Sequence, residues 1–173
     1  MKSTLIVYSS TDGQTKKICS RIQDCLGNDF YSNIMSIKEV TEDDIKKFDR
    51  IIIGASIRYG KHKKELFNFI DSNLVELEKK DNAFFSVNVV ARKAEKNTAE
   101  TNPYVQKFLL KTAWVPKNLA VFAGKIDYPK YNLIDKQMIR FIMWITKGPT
   151  DTKSTYEFTD WDKVDSFAKE LIT

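Results

Sequence analysis

The sequence predicts an α/β protein whose parallel sheet is covered by helices on both faces. Segments of strand character alternate with segments of helical periodicity, the order that builds parallel sheets. The strand segments Leu5–Tyr8, Ile51–Ile53 and Leu119–Ala123 are unbroken apolar runs, the pattern of strands buried on both faces. The length is 173 residues, of which 42% are hydrophobic and 29% charged. That fits one domain, residues 1–173, with a core that needs no covalent staples.

Leu5–Tyr8 forms the first strand, and Ile18, Ile22 and Leu26 then recur at helical spacing with Gly27 placed as a C-terminal cap. Residues 30–35 mix apolar residues with Ser32 and Asn33 and read as an edge strand. Ile51–Ile53, ended by Gly54, is the third strand. Leu66, Ile70, Leu74 and Leu77 mark the inner face of a second helix, and Phe84–Val90 is the fourth strand. Asn102 followed by Pro103 is a cap and first-turn signature, and Val105, Phe108 and Leu109 form the inner face of the helix it opens. Leu119–Ala123 is the fifth strand. Thr159 or Asp160 caps a last helix with Val164, Phe167, Ala168 and Leu171 inward. Between the fifth strand and this helix a short loop is usual, yet about residues 125–158 intervene as an insertion.

Several function classes are excluded or disfavoured. No uninterrupted apolar run is longer than Phe141–Ile145, and a membrane-spanning helix needs about twenty such residues. The apolar stretch near the N-terminus is too short for a secretory signal. Cys19 and Cys25 fall on different faces of one helix and cannot build a disulfide framework, and a single histidine, His62, rules out a multi-histidine metal site. No metal is expected. His62 itself is expected as a solvated loop residue. The reduced cytoplasm is the expected compartment. The net charge of +5 favours anionic partners, but no nucleic-acid motif accompanies it.

Ligands of such sheets bind beyond the C-terminal ends of the strands. The first strand runs into Ser9, Ser10, Thr11, Asp12, Gly13, Gln14 and Thr15, and a helix starts at once. Hydroxyls around a glycine at a helix N-terminus suit a phosphate, because backbone N–H groups there lack partners and the helix dipole favours an anion. No lysine follows in the position of a nucleotide-triphosphate loop, and no dinucleotide glycine pattern is present.

The segment YSSTDGQT resembles the phosphate loop of the flavodoxins, with Asp12 departing from the usual threonine before the glycine. An acid there must point away from the phosphate or cap the helix. The segments GASIRYGKH, FFSVNVVARK, ETNPYVQKFL, YPKY and FTDW occur in that order and are similar to a narrower family. This is the flavodoxin-type, quinone-dependent protoporphyrinogen IX oxidases of bacterial haem synthesis. The resemblance implies a flavodoxin-like three-layer sandwich with five parallel strands in order 2-1-3-4-5. It implies FMN held by Ser10, Thr11, Asp12, Gly13, Gln14 and Thr15 at the phosphate. Ser56, Ile57, Arg58, Tyr59, Val87, Asn88, Val89 and Ala91 would lie around the ring. It also implies oxidation of protoporphyrinogen IX, with electrons passed to menaquinone or ubiquinone at the inner face of the cell membrane. An electron-carrying flavodoxin and a flavin-dependent quinone reductase are the alternatives. Carriers are typically acidic, whereas this chain has a pI near 9.0.

Two basic groups should border the same cleft: Arg58, Lys61, Lys63 and Lys64 after the third strand, and Arg92 and Lys93 after the fourth. Arginine suits carboxylates such as the propionates of a porphyrinogen, and Arg58, Lys61, Arg92 and Lys93 are the expected substrate residues. In the insertion, Ile134, Met138, Phe141, Ile142 and Ile145 form one apolar helical face, expected to pack inward. Lys136, Arg140 and Lys147 lie opposite, flanked by Leu133 and Trp144 on one side and by Ile139 and Met143 on the other. This outer surface is expected to contact membrane or quinone; a dimer contact in a homo-oligomer, or packing in a groove on the body of the protein, is the alternative.

Overall fold

The computed structural model describes residues 2–173. Its main sheet contains β1 (Ser3–Ser9), β2 (Tyr31–Ser36), β3 (Arg50–Arg58), β4 (Lys61–His62), β5 (Asp81–Asn88) and β6 (Asn118–Ala123). The order is β2-β1-β3-β5-β6, parallel throughout, and β4 folds back antiparallel on the end of β3. Apart from that hairpin, this is the predicted 2-1-3-4-5 arrangement. The helices are α1 (Gln14–Leu26), α2 (Glu42–Lys47), α3 (Lys64–Lys79), α4 (Pro103–Lys111), α5 (Leu133–Ile145) and α6 (Trp161–Glu170). The insertion is a small ribbon of β7 (Lys125–Asp127) and β8 (Thr155–Glu157) with α5 between its strands.

Two cores sit on the two faces of the sheet because neighbouring strand residues point opposite ways. Leu5, Val7, Ile51, Ile53 and Phe84 face α3 and α4 and pack with Leu66, Ile70, Phe108 and Trp114. Ile6, Ile52 and Phe85 face α1 and α6 and pack with Ile18, Ile22, Phe122, Val164 and Phe167. Gly54 is fixed by this packing: a Cβ there would run into the ring of Phe85.

Not among the expected elements is α2, a six-residue helix with one buried apolar residue, Ile45. One turn and a half shows no periodicity, but Thr41 and Asp44 cap each other reciprocally, a signal carried by residue type and spacing. Asp160, not Thr159, caps α6. Thr159 instead donates to the carbonyl of Ala123 at 2.7 Å and accepts from Gln14 Nε2 at 2.9 Å, joining β6 to the start of α1.

His62 corrects a second expectation. It is buried, with Nε2 3.0 Å from Ser86 Oγ and its ring edge-on to Phe84 and Phe108. Burial, aided by the charge of Lys111, pulls its pKa down from 6.5 to about 4. An unfolded chain takes up this proton below pH 6.5, and the folded chain does so only near pH 4. Folding stability therefore falls as pH drops through that window, by up to about 3 kcal/mol. Urea titrations between pH 7 and 4 should show this loss in the wild type and a shallower slope in His62→Gln. Equal slopes would remove the assignment.

Candidate active site

The C-terminal ends of β1, β3 and β5 converge on a narrow slot that opens into a cavity of about 350 Å³. The slot is built by the β1–α1 loop. Gly13 precedes α1 with φ 88°, a left-handed conformation that a side chain resists. No side chain caps α1, so its first N–H groups stay available. Ser10 Oγ accepts the Gly13 N–H at 3.0 Å, and Lys63 Nζ donates to the Ser10 carbonyl at 3.1 Å. Thr11 and Asp12 border the slot beside buried Gln14 and Thr15. Thr15 is wholly buried, and its hydroxyl has no partner among the described residues. A buried, unpaired hydroxyl lining a slot at an uncapped helix start fits an anionic group. Asp12 does not oppose it. Its carboxylate turns away to Arg58 at 2.7 Å, the first of the two arrangements expected for this acid.

The β3–β4 hairpin supplies one wall of the cavity. Ser56 lies in the slot, Ile57 lines both spaces, and Tyr59 stands half-exposed at the tip. Tyr59 has φ 50°, uncommon for a bulky residue and found where a site dictates the backbone. The opposite wall is the turn after β5, a 3-10 helix over Val89–Arg92. Val87 and Asn88 reach the slot, Val89 touches both spaces, and Ala91 packs behind. Asn88 and Asn102 form a buried reciprocal amide pair at 3.2 and 3.1 Å. Asn88 Oδ1 also accepts the Ala91 N–H at 3.1 Å, which fixes the turn.

The basic collar is smaller than expected. Arg58 and Arg92 line the cavity. Lys61 is exposed beside a separate hollow near His62 and Phe67, and Lys93 does not line the cavity. Arg58 is neutralised by Asp12 at 2.7 Å and by Asp135 of α5 at 3.1 Å, and it lies against the rings of Tyr59 and Tyr131. Arg92 has no such acid. It donates to the carbonyls of Val89 at 3.0 Å and Thr146 at 2.9 Å, and burial pulls its pKa below the usual guanidinium range. Lys125, Tyr104 and Tyr131 are among the lining residues not expected at the site, with Gly60, Val90, Ile126, Ile142 and Thr146. Tyr104 and Tyr131 lay in quoted segments, and Lys125 follows the fifth strand after Gly124, but nothing in their spacing marks them.

The insertion roofs the cavity, and its helix is turned around relative to expectation. Ile139, Ile142, Met143 and Thr146 line the cavity, and Met143 is only 2% exposed. Ile139 and Met143 are thus not on the outer surface. Ile134, Met138, Phe141 and Ile145, expected inside, are exposed with Leu133 and Trp144. The rotation is set by tethers rather than by apolar area. Asp135 is held by Arg58, Thr146 by Arg92, and Met143 sinks among Ile126, Tyr128 and Tyr131. Lys136 is half-buried, while Arg140 and Lys147 stay exposed.

A family model described as "Flavodoxin domain" matches residues 5–153. The chain belongs to the flavodoxin-domain family. It is 40% identical over 169 residues to a protein named protoporphyrinogen IX dehydrogenase [quinone] from Escherichia coli (strain K12), covering 97% of this chain and 93% of that one. A protein of the same name from Leishmania major is also 40% identical, over 96% of this chain and 73% of its own length. Among solved structures, a flavodoxin from the domain Archaea aligns with TM-score 0.54 at 16% identity, over 99% of both chains. Flavodoxin 1 from Bacillus cereus aligns with TM-score 0.57 at 16% identity, over 99% of this chain and 97% of its own. These two share the fold. Family membership makes the chain a flavin-binding oxidoreductase of flavodoxin type, and the resemblance seen in its loop segments holds over nearly the full length.

Proposed function

We propose that this flavodoxin-domain protein oxidises protoporphyrinogen IX to protoporphyrin IX, with FMN as cofactor and a membrane quinone as electron acceptor. The observation that carries the reading is the slot holding the unpaired Thr15 hydroxyl, which leads into a cavity bordered by the acid-free Arg92. Ser10, Thr11, Gly13, Gln14 and Thr15 would hold the phosphate, with Asp12 kept aside by Arg58. Ser56, Val87 and Asn88 would meet the polyol, and Ile57, Arg58, Tyr59 and Val89 would frame the ring, with Ala91 packed behind. Bound FMN supplies two-electron acceptance, so the six-electron oxidation takes three rounds. The chain's own residues position the substrate. Arg92 offers a carboxylate partner beside the ring space, and Tyr59 and Tyr104 offer flat apolar surface. Lys61 and Lys93, outside the cavity, would only attract the anion from a distance.

No helix among the described residues is long and apolar enough to cross a membrane. Contact with the quinone's bilayer would fall to the outer face of α5: Leu133, Ile134, Phe141 and Trp144, with Arg140 and Lys147 beside them. The test is anaerobic. FMN-loaded protein, protoporphyrinogen IX and a quinone should together give porphyrin fluorescence, and omitting the quinone should stop it after less than one equivalent. Loaded protein that forms no porphyrin in the complete mixture would refute the assignment.

A further inference from the structure

We infer that α5 is a lid over the cavity and that docking of its outer face on an anionic lipid surface lifts it. This deepens the proposed function by naming how its site is regulated. The inner side of α5 walls the cavity through Ile139, Ile142 and Met143. The outer side exposes Leu133 (74%), Ile134 (76%), Phe141 (57%), Trp144 (69%) and Ile145 (58%). One thirteen-residue helix therefore covers the site with one face and offers a continuous apolar strip with the other.

The occupant of that strip is selected by charge. Arg140 is exposed beside Leu133 and Trp144 on the helical wheel, and exposed Lys147 follows the helix. The one acid of α5, Asp135, is engaged by Arg58. Basic residues along one edge of an apolar strip match an anionic bilayer. Two copies of the same face would bring Arg140 and Lys147 of each chain together, which opposes self-association through it.

The closed position limits what the site admits. A cavity of about 350 Å³ lies at the small end of ligand pockets, roughly 300–1,000 Å³. A further space of about 450 Å³ adjoins it at Asp12, Lys125 and Tyr131, and Ile139, Ile142 and Met143 wall only the first of the two. Two polar fastenings from the body hold the lid among the described residues, Arg58 to Asp135 near the N-terminal end and Arg92 to Thr146 at the C-terminal end, beside the apolar seat of Met143 and Ile139 in the cluster that Val89 joins. The second fastening uses the same guanidinium that would receive a substrate carboxylate. Lifting the lid thus widens the cavity and releases Arg92 in one movement. Beyond α5 the chain turns at Lys147, with φ 56°, and the Gly148 N–H closes the helix end on the Met143 carbonyl at 2.7 Å.

The experiment compares phosphatidylcholine vesicles with vesicles one-third phosphatidylglycerol, using the full chain with its flavin bound. Co-sedimentation should be at least tenfold stronger on the anionic vesicles and lost in Phe141→Ser/Trp144→Ser. On binding, hydrogen exchange of the amides in residues 89–92 should accelerate severalfold, and the rate with a water-soluble quinone should rise. Asp135→Asn, which cuts one fastening, should show the faster exchange without lipid. Vesicle binding that leaves both exchange and rate unchanged would overturn the lid while leaving the oxidase reading intact. A wild type that ignores the vesicles, with self-association lost in the serine variant, would make the face a contact between copies and overturn the inference. Failure to form porphyrin under any condition strikes the proposed function instead.

Discussion

Thr15→Val should weaken FMN binding at least tenfold, leave riboflavin binding nearly unchanged, and leave the flavin-free protein no less stable. The three outcomes follow from one atom. The Thr15 hydroxyl is wholly buried and has no hydrogen-bond partner among the described residues. A hydrogen bond to a charged group contributes about 1.5–3 kcal/mol, which corresponds to roughly 10–150-fold in affinity. Only FMN brings such a group to the slot; riboflavin ends in a neutral hydroxyl. Without ligand, the same hydroxyl is a buried polar group left unsatisfied, a cost of about 1–3 kcal/mol. Valine keeps the shape and removes that cost. Calorimetric titration with both flavins and a thermal melt of the stripped protein measure all three. Equal affinity losses for FMN and riboflavin would place the phosphate elsewhere. A lower melting temperature in the stripped variant would show that the hydroxyl supports the fold.

The same comparison of residue with surroundings explains what could be read before the structure. The sheet was legible because strands buried on both faces must be apolar at every position, and Leu5–Val7, Ile51–Ile53 and Phe84–Phe85 are. The phosphate loop was legible because it depends on local chemistry: hydroxyls, a glycine and a helix start within one short segment. The orientation of α5 was not legible. Periodicity marks which residues share a face, but which face turns inward is decided by partners distant in sequence. Here Arg58 and Arg92 grip the two ends of the helix and set it with its broader apolar side outward. The fate of the basic collar was hidden for the same reason, since the neutralising acids of Arg58 lie at Asp12 and Asp135, far apart in the chain. His62 was misjudged because a loop-like stretch, KHKK, gave no sign that one residue in it pairs back onto β3 and sinks beneath Phe84 and Phe108.

Asn102 carries the other large effect, and two substitutions separate its possible roles. As a helix cap it accepts the N–H groups of Tyr104 and Val105 at 3.1 and 3.3 Å. Caps of this kind are worth about 0.5–2 kcal/mol. Asn102 does more than cap. Its Nδ2 donates to Asn88 Oδ1 at 3.1 Å and to the Lys96 carbonyl at 2.8 Å, and its Oδ1 accepts from Asn88 Nδ2 at 3.2 Å. Both side chains are almost fully buried, so removing Asn102 leaves the Lys96 carbonyl and the Tyr104 and Val105 N–H groups without their side-chain partner and reduces Asn88 to its contacts with Ser86 and the Ala91 N–H. Each stranded group costs about 1–3 kcal/mol. Asn102→Ala should therefore lose at least about 3 kcal/mol in urea unfolding, measured as a shift in midpoint at unchanged slope. Asn102→Asp decides the reason. Aspartate caps a helix as well as asparagine does, but it cannot donate, and its carboxylate would face Asn88 Oδ1 and the Lys96 carbonyl. If capping were the whole role, the aspartate variant would match the wild type. The amide pair predicts instead that it falls at least as far as the alanine variant, because the buried charge adds to the lost donors. Flavin affinity should fall in both variants, since Asn88 Oδ1 also holds the Ala91 N–H and thereby the turn that walls the cavity.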